Sequence, residues 1–185
     1  MTLVYRCISA RRWLDTDDDR PHVPRVDIPP ASGRWNRRDQ HALYTSHEPD
    51  VAIEEKARHL DTRGRGPFGS IVRAIGAPIA TEVVVLEFAM PDYVWGCFDG
   101  RTRPRADFDA ALDPCSYAAA HAILDSEVPA GTIHLIVPSS PRPDSWNSVF
   151  YLGPGQLSRD DVPSRDDVRP VAQGDVLPNP PGCGS

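Results

Sequence analysis

Two apolar runs, residues 82–89 and 132–137, most constrain what this chain can fold into. Both are rich in β-branched residues, and both are strand length. In the second run Ile133, Leu135 and Val137 alternate with Thr132, His134 and Ile136, the period of a strand. Shorter strands are expected over residues 4–8, 42–45 and 148–152. Between them, Glu48-Pro49-Asp50 opens a helix, with proline in the first turn, where its missing N–H costs little. Ile53, Ala57 and Leu60 then share one face at i, i+4 and i+7. Gly64 to Gly69 ends that region, and a second helix is expected over the alanine-rich residues 114–124. Strands outnumber helices, and they do not alternate in a βαβ rhythm. The expected class is therefore α+β.

At 185 residues the chain is long enough to bury a core, and one domain is expected. The acidic Asp15 to Asp19 stretch and the Pro-rich residues 21–30 read as solvated loop. From residue 158 onward the chain is acidic, Pro-rich and nearly free of aromatic residues. The expected division is thus a folded domain over 1–157 and a flexible tail over 158–185. The formal net charge of −6 argues against nucleic acid as a direct partner. Cys7, Cys97, Cys115 and Cys183 contain no close pair, so no structural metal is expected. The N-terminus has no basic stretch before a long apolar run, and the most apolar segment, residues 83–90, is too short to span a membrane. These features read as a cytoplasmic protein with reduced thiols and no membrane partner.

Several polar residues could carry chemistry if the fold gathers them. Arg34 lies in a Ser32-Gly33-Arg34-Trp35-Asn36 turn. Its guanidinium suits a diphosphate, or it packs on Trp35 at the surface. Arg6 on the first strand is a second candidate for phosphate. Tyr44 ends a strand and could stack on an aromatic ring, or it is a half-buried strand tyrosine. Glu54 and Glu55 are adjacent on a helix, so one can face a cleft while the other faces water. A cleft carboxylate there could stabilise a developing oxocarbenium ion or hold a ribose hydroxyl. Ser139, after Pro138, could bind a ligand or orient the glutamate. It lacks the Gly-x-Ser-x-Gly elbow of a hydrolase nucleophile. Asn147 could tie down its loop. The six histidines show no HExxH spacing and read as structural or exposed.

Taken in order, these segments resemble the RES domain family, named for an arginine, a glutamate and a serine. The resemblance begins at Val4-Tyr5-Arg6 and runs through Gly33-Arg34-Trp35-Asn36 and Leu43-Tyr44-Thr45-Ser46. It continues with Val51-Ala52-Ile53-Glu54-Glu55 and His59, then Val137-Pro138-Ser139 and Asn147, covering residues 3–155. Ser32 replaces a usual glycine, and Arg37-Arg38-Asp39-Gln40 replaces a usual Pro-Gly. Both departures touch loop shape rather than the polar side chains.

The resemblance implies a fold like that of ADP-ribosyltransferases, with a split β core around a dinucleotide cleft. It implies a toxin of a bacterial toxin–antitoxin pair that destroys NAD, with water or phosphate as acceptor. NAD is then a substrate, and no metal is implied. Arg34, Tyr44, Glu55 and Ser139 look like the catalytic set, with Glu55 fitting the family spacing better than Glu54. Arg6, Arg34, Tyr44, Ser139 and Asn147 would bind the dinucleotide. The implied partner is a helix-turn-helix antitoxin covering the cleft, and no residue here fixes self-association. Protein ADP-ribosylation and a non-catalytic dinucleotide-binding module remain open as alternatives.

Overall fold

The computed structural model describes residues 1–25, 27, 29–30, 32–63, 81–93, 96–113, 116–142 and 144–176. The elements follow in the order β1 (Thr2–Ser9), α1 (Ala10–Trp13), β2 (His41–Ser46), α2 (Pro49–Arg63), β3 (Thr81–Met90) and β4 (Cys97–Asp99). Short 3-10 turns cover Gly100–Thr102 and Arg105–Leu112 before α3 (Ala118–Ser126), β5 (His134–Pro138) and β6 (Trp146–Leu152). Two more, Arg159–Asp161 and Arg165–Asp167, lead into β7 (Arg169–Val176). The seven strands form one sheet in the order β4-β5-β6-β2-β1-β3-β7. Only β4 and β5 run parallel; the other neighbours are antiparallel. This is the expected α+β class.

The sheet is uneven along its width. β1 pairs with β3 from Thr2↔Met90 to Ser9↔Val83, and β2 pairs with β6 from His41↔Leu152 to Ser46↔Asn147. Between these two paired halves, β1 and β2 share the single register pair Tyr5↔Ser46. The core is therefore split at β1 and β2. Arg6 bridges the gap, its Nη1 donating to the Tyr44 carbonyl oxygen at 2.6 Å.

Side chains alternate between the faces of each strand, and the register makes the two faces different. One face carries Val4, Ile8, Leu43, Leu86, Phe88, Phe150 and Leu152 in a single apolar cluster with Val23, Leu157 and Val162. The opposite face carries two clusters. Trp35, Phe108, Leu135, Val137, Val149 and Tyr151 form the larger. Ala57, Val83 and Val176, with Ile53 and Cys7 alongside, form the smaller. Ser46, paired with both Tyr5 and Asn147, lies on the face that the clusters divide.

Several expectations need correction. Residues 158–176 were expected in a flexible tail, but β7 pairs with β3 from Thr81↔Val176 to Glu87↔Arg169. Val162, Val168 and Val176 are buried, and Arg165 lies 4.6 Å from the Trp13 ring. Backbone pairing holds this segment, and composition does not register backbone pairing. Residues 177–185 lie outside the described residues. β5 is buried on both faces along its whole length, because it is an interior strand covered on both sides. α3 starts at Ala118 rather than near residue 114. The glycine-rich stretch expected to end α2, Gly64 to Gly69, lies outside the described residues.

Candidate active site

Glu55 projects from α2 into the seam between the two clusters. Its Oε1 accepts from Asn147 Nδ2 at 2.6 Å, Ser139 Oγ at 3.0 Å and the Ser140 backbone N–H at 3.3 Å. All three donors converge on one oxygen. Among the described residues, Oε2 takes no hydrogen bond. Each donor is itself fixed. Ser139 is fully buried at the end of β5, and its N–H donates to the Ser145 carbonyl oxygen at 2.9 Å, closing the turn between β5 and β6. Asn147 pairs with Val137 and Ser46 on the neighbouring strands. Ser46 Oγ donates to Asn147 Oδ1 at 2.8 Å, which turns the amide N–H toward Glu55.

Glu54 is directed elsewhere. It forms a half-exposed ion pair with Arg142, which also faces Glu48 at 3.6 Å. A helix turns about 100° per residue, so adjacent glutamates cannot both face the seam. The geometry thus separates the two carboxylates that the sequence left in competition.

The Arg34 turn is a braced structure. Gly33 N–H donates to the Asn36 carbonyl oxygen at 3.2 Å, and Asn36 Nδ2 donates to the carbonyls of Arg37 and Gln40, both at 2.9 Å. The Tyr44 hydroxyl sits inside the turn. It accepts from Trp35 N–H at 2.9 Å and donates to Asn36 Oδ1 at 2.8 Å. A Cβ at Gly33 would stand 2.5 Å from Asn36 Oδ1 and 2.9 Å from the Tyr44 oxygen, so only glycine fits there. Trp35 is buried against Phe108, and its carbonyl accepts from the Tyr151 hydroxyl at 2.6 Å. His121 Nε2 lies 2.9 Å from the Gly33 carbonyl oxygen. The turn therefore sits on β2, β6 and α3 together. The short Tyr44 bonds show that this tyrosine shapes the arginine turn, and burial raises its pKa well above the ordinary value.

Arg34 itself is half-buried. Its Nη1 donates to the carbonyl oxygens of Ala111 and, at 2.8 Å, Asp113, and its guanidinium lies 5.0 Å from the Tyr117 ring. Burial lowers its pKa, while Tyr117 and Glu55 oppose that shift, so the glutamate and arginine share one electrostatic neighbourhood. Arginine stays charged regardless. A guanidinium held in a braced turn can grip an anion through two parallel bonds.

The structure thus gathers Arg34, Tyr44, Glu55, Ser139 and Asn147 on one face. Arg6 sits apart. Alternation along β1 places it with Val4 and Ile8 on the opposite face, at the neck between β1 and β2. There its Nη1 is engaged by the Tyr44 carbonyl oxygen. The His59 side chain lies outside the described residues.

Other residues at the site were not anticipated. Ser46 orients Asn147, and Ser140 supplies a backbone donor to Glu55. Arg58 donates through Nη1 to Ser140 Oγ at 2.7 Å. The available signal was spacing, since Arg58 stands three residues after Glu55 and so shares its helix face. On the other face, His134 stacks on Phe150 at 4.3 Å, and the Nε2 atoms of His47 and His134 lie 2.8 and 3.0 Å from Ser148 Oγ. Burial pushes the pKa of His134 down to about 4 and that of fully buried His22 to about 3. Among the described residues no three His, Cys, Asp or Glu side chains converge as metal ligands. Cys7 and Cys97 are free thiols, while Cys115 and Cys183 lie outside the described residues. Among the described residues no helix is long and apolar enough to cross a membrane.

A family model described as the RES domain matches residues 3–169. Among solved structures, the chain is similar to one from "Crystal structure of the M. tuberculosis MbcT-MbcA toxin-antitoxin complex". The identity is 14% and the TM-score 0.48, over 96% of this chain and 85% of that one. No curated protein matches this chain.

Proposed function

Because the chain belongs to the RES domain family, we propose that it is the toxin of a bacterial toxin–antitoxin pair and cleaves the nicotinamide–ribose bond of NAD. The observation that carries this reading is Glu55, whose Oε1 takes three donors while Oε2 takes none among the described residues. The glycosidic C–N bond breaks, its electron pair leaves with nicotinamide, and positive charge develops on the ribose. Glu55 stands against that charge. Ser139 and Asn147 hold the carboxylate still, so it needs no reorganisation as charge builds. Arg34 holds the diphosphate, which anchors the nucleotide away from the reacting carbon. Tyr44 keeps the arginine turn in shape and packs against the nicotinamide or its ribose. Water or phosphate then adds to the ribosyl carbon, and the acceptor oxygen releases its proton. A helix-turn-helix antitoxin covering this cleft is the partner that the family suggests.

The test is NAD concentration over time with purified protein, with and without phosphate, beside Glu55→Gln. Wild type should deplete NAD, and the variant should be slower by at least about 100-fold while still binding ADP-ribose. Phosphate dependence would identify the acceptor. Label from NAD fixed on protein would replace this reading with protein ADP-ribosylation, and undiminished NAD with no label would overturn both.

A further inference from the structure

Two arginines converge on the rim of the cleft. Arg58 lies three residues beyond Glu55 on α2, so both side chains leave the same helix face. Its Nη1 donates to Ser140 Oγ at 2.7 Å, and Ser140 Oγ donates to the Leu112 carbonyl oxygen at 3.1 Å. Arg34 reaches the same segment from the β2 side, through the carbonyls of Ala111 and Asp113. Three consecutive carbonyls, 111 to 113, are thus held by Arg34 directly and by Arg58 through Ser140. Arg34 is perturbed first by burial and, further down, by the positive charge of Arg58. The Nε and Nη2 atoms of Arg58 make no hydrogen bond among the described residues. A neutral carbonyl or hydroxyl is a weaker partner for a guanidinium than a phosphate oxygen. Arg58 acts on Arg34 in the same sense as burial does, as a like charge in one neighbourhood must.

We propose that Arg34 and Arg58 form a two-guanidinium clamp for a ligand bearing two linked phosphates, with the carbonyls of residues 111–113 holding the clamp's place until the ligand displaces them. The inference rests on the NAD reading of this site and adds Arg58 as a binding residue. Arg58 is suited to this because it moves with the helix that carries Glu55, tying the distance between diphosphate and reacting carbon to one rigid element. One guanidinium can grip one phosphate by two parallel bonds, and a second extends that grip across the bridging oxygen.

The test combines calorimetric binding of ADP-ribose, inorganic pyrophosphate and adenosine with steady-state kinetics on NAD. It uses wild type, Arg58→Gln and Arg58→Lys, each checked for folding by circular dichroism. Arg58→Gln should weaken ADP-ribose and pyrophosphate binding about tenfold, the order expected for one charge-assisted contact, and leave adenosine unchanged. KM should rise by a similar factor with kcat within about twofold, the pattern of lost uniform binding. Arg58→Lys should restore part of the loss, keeping the charge but not the fork, and it also serves if the glutamine variant fails to fold. A fall in kcat with unchanged KM and unchanged pyrophosphate binding would overturn the clamp and leave Arg58 as a support for Ser140. Pyrophosphate bound through Arg58 without ADP-ribose binding or NAD turnover would keep the clamp and sink the NAD reading. No binding of pyrophosphate or ADP-ribose by wild type would sink both.

Discussion

The two faces of the sheet use the same strands for opposite ends. One face closes into a continuous apolar cluster around Leu43, Phe88 and Phe150, with even its histidines packed against aromatic rings. The other is interrupted, because Ser46 and Asn147 stand where apolar residues would join the two clusters. Alternation makes the division sharp. Residue 43 belongs to the core and residue 44 to the arginine turn, although they are neighbours in β2. The lesson is that a functional seam here is a gap in a hydrophobic face, kept open by polar groups that satisfy each other.

If the faces divide stability from chemistry, substitutions should separate them. The largest effect is on the seam: Glu55→Gln should lower NAD turnover by two orders of magnitude or more, with urea unfolding nearly unchanged. On the apolar face, Phe88→Ala should cost about 3–5 kcal/mol in urea unfolding, because Phe88 is only 2% exposed and its cavity cannot fill. Turnover per folded molecule should hold. Tyr44→Phe tests the border between the two. It strips the hydroxyl from Trp35 N–H and Asn36 Oδ1, at about 1–3 kcal/mol for leaving those groups unpaired. It should also raise KM for NAD, because the turn that presents Arg34 loosens; a loss of stability with unchanged KM would separate Tyr44 from the binding of the diphosphate.

Titration of the apolar face gives the next effect. His134 has its pKa pushed down to about 4 by burial, against about 6.5 in an unfolded chain. Between those values the unfolded state binds a proton that the folded state refuses, so stability falls as pH drops from about 6.5 toward about 4. Fully buried His22, lowered to about 3 by burial and then by nearby Arg6 and Arg12, extends the same trend. Urea midpoints at pH 7, 5.5 and 4.5 should decline in that order, and His134→Phe should flatten the decline. The smallest effect belongs to Glu54→Gln. Its pair with Arg142 is more than a third exposed, so the urea midpoint should stay nearly unchanged, with turnover within about twofold. A large loss of turnover in that variant would reassign the role now given to Glu55.

Much of this was legible in the chain before folding was considered. The β-branched run that becomes β3 and the proline-opened helix that becomes α2 carry local signals strong enough to survive tertiary context. The turn around Arg34 was legible as a turn, while the reason it needs Gly33, the lack of room for a Cβ beside Asn36 and Tyr44, came only with the structure. β7 was not legible, because Arg169 to Val176 offers almost no buried side chains and is held by pairing to β3. β4 is three residues long and parallel to β5, so no local pattern could announce it. Arg6 was readable only as a residue type that suits phosphate; strand parity, which places it on the face of Val4 and Ile8, is set by the pairing of β1 with β3.

By itself the sequence determined the class of the fold, the family and the residue types available for chemistry, since propensity, turn chemistry and motif spacing are local properties. Only the tertiary structure decided which of these residues share a cleft. Register set that choice: Tyr5 against Ser46, Ser46 against Asn147, and Asn147 against Val137 carry one face across four strands. A shift of one residue in the pairing of β6 with its neighbours would have sent Asn147 to the apolar face and left Glu55 without its shortest hydrogen bond.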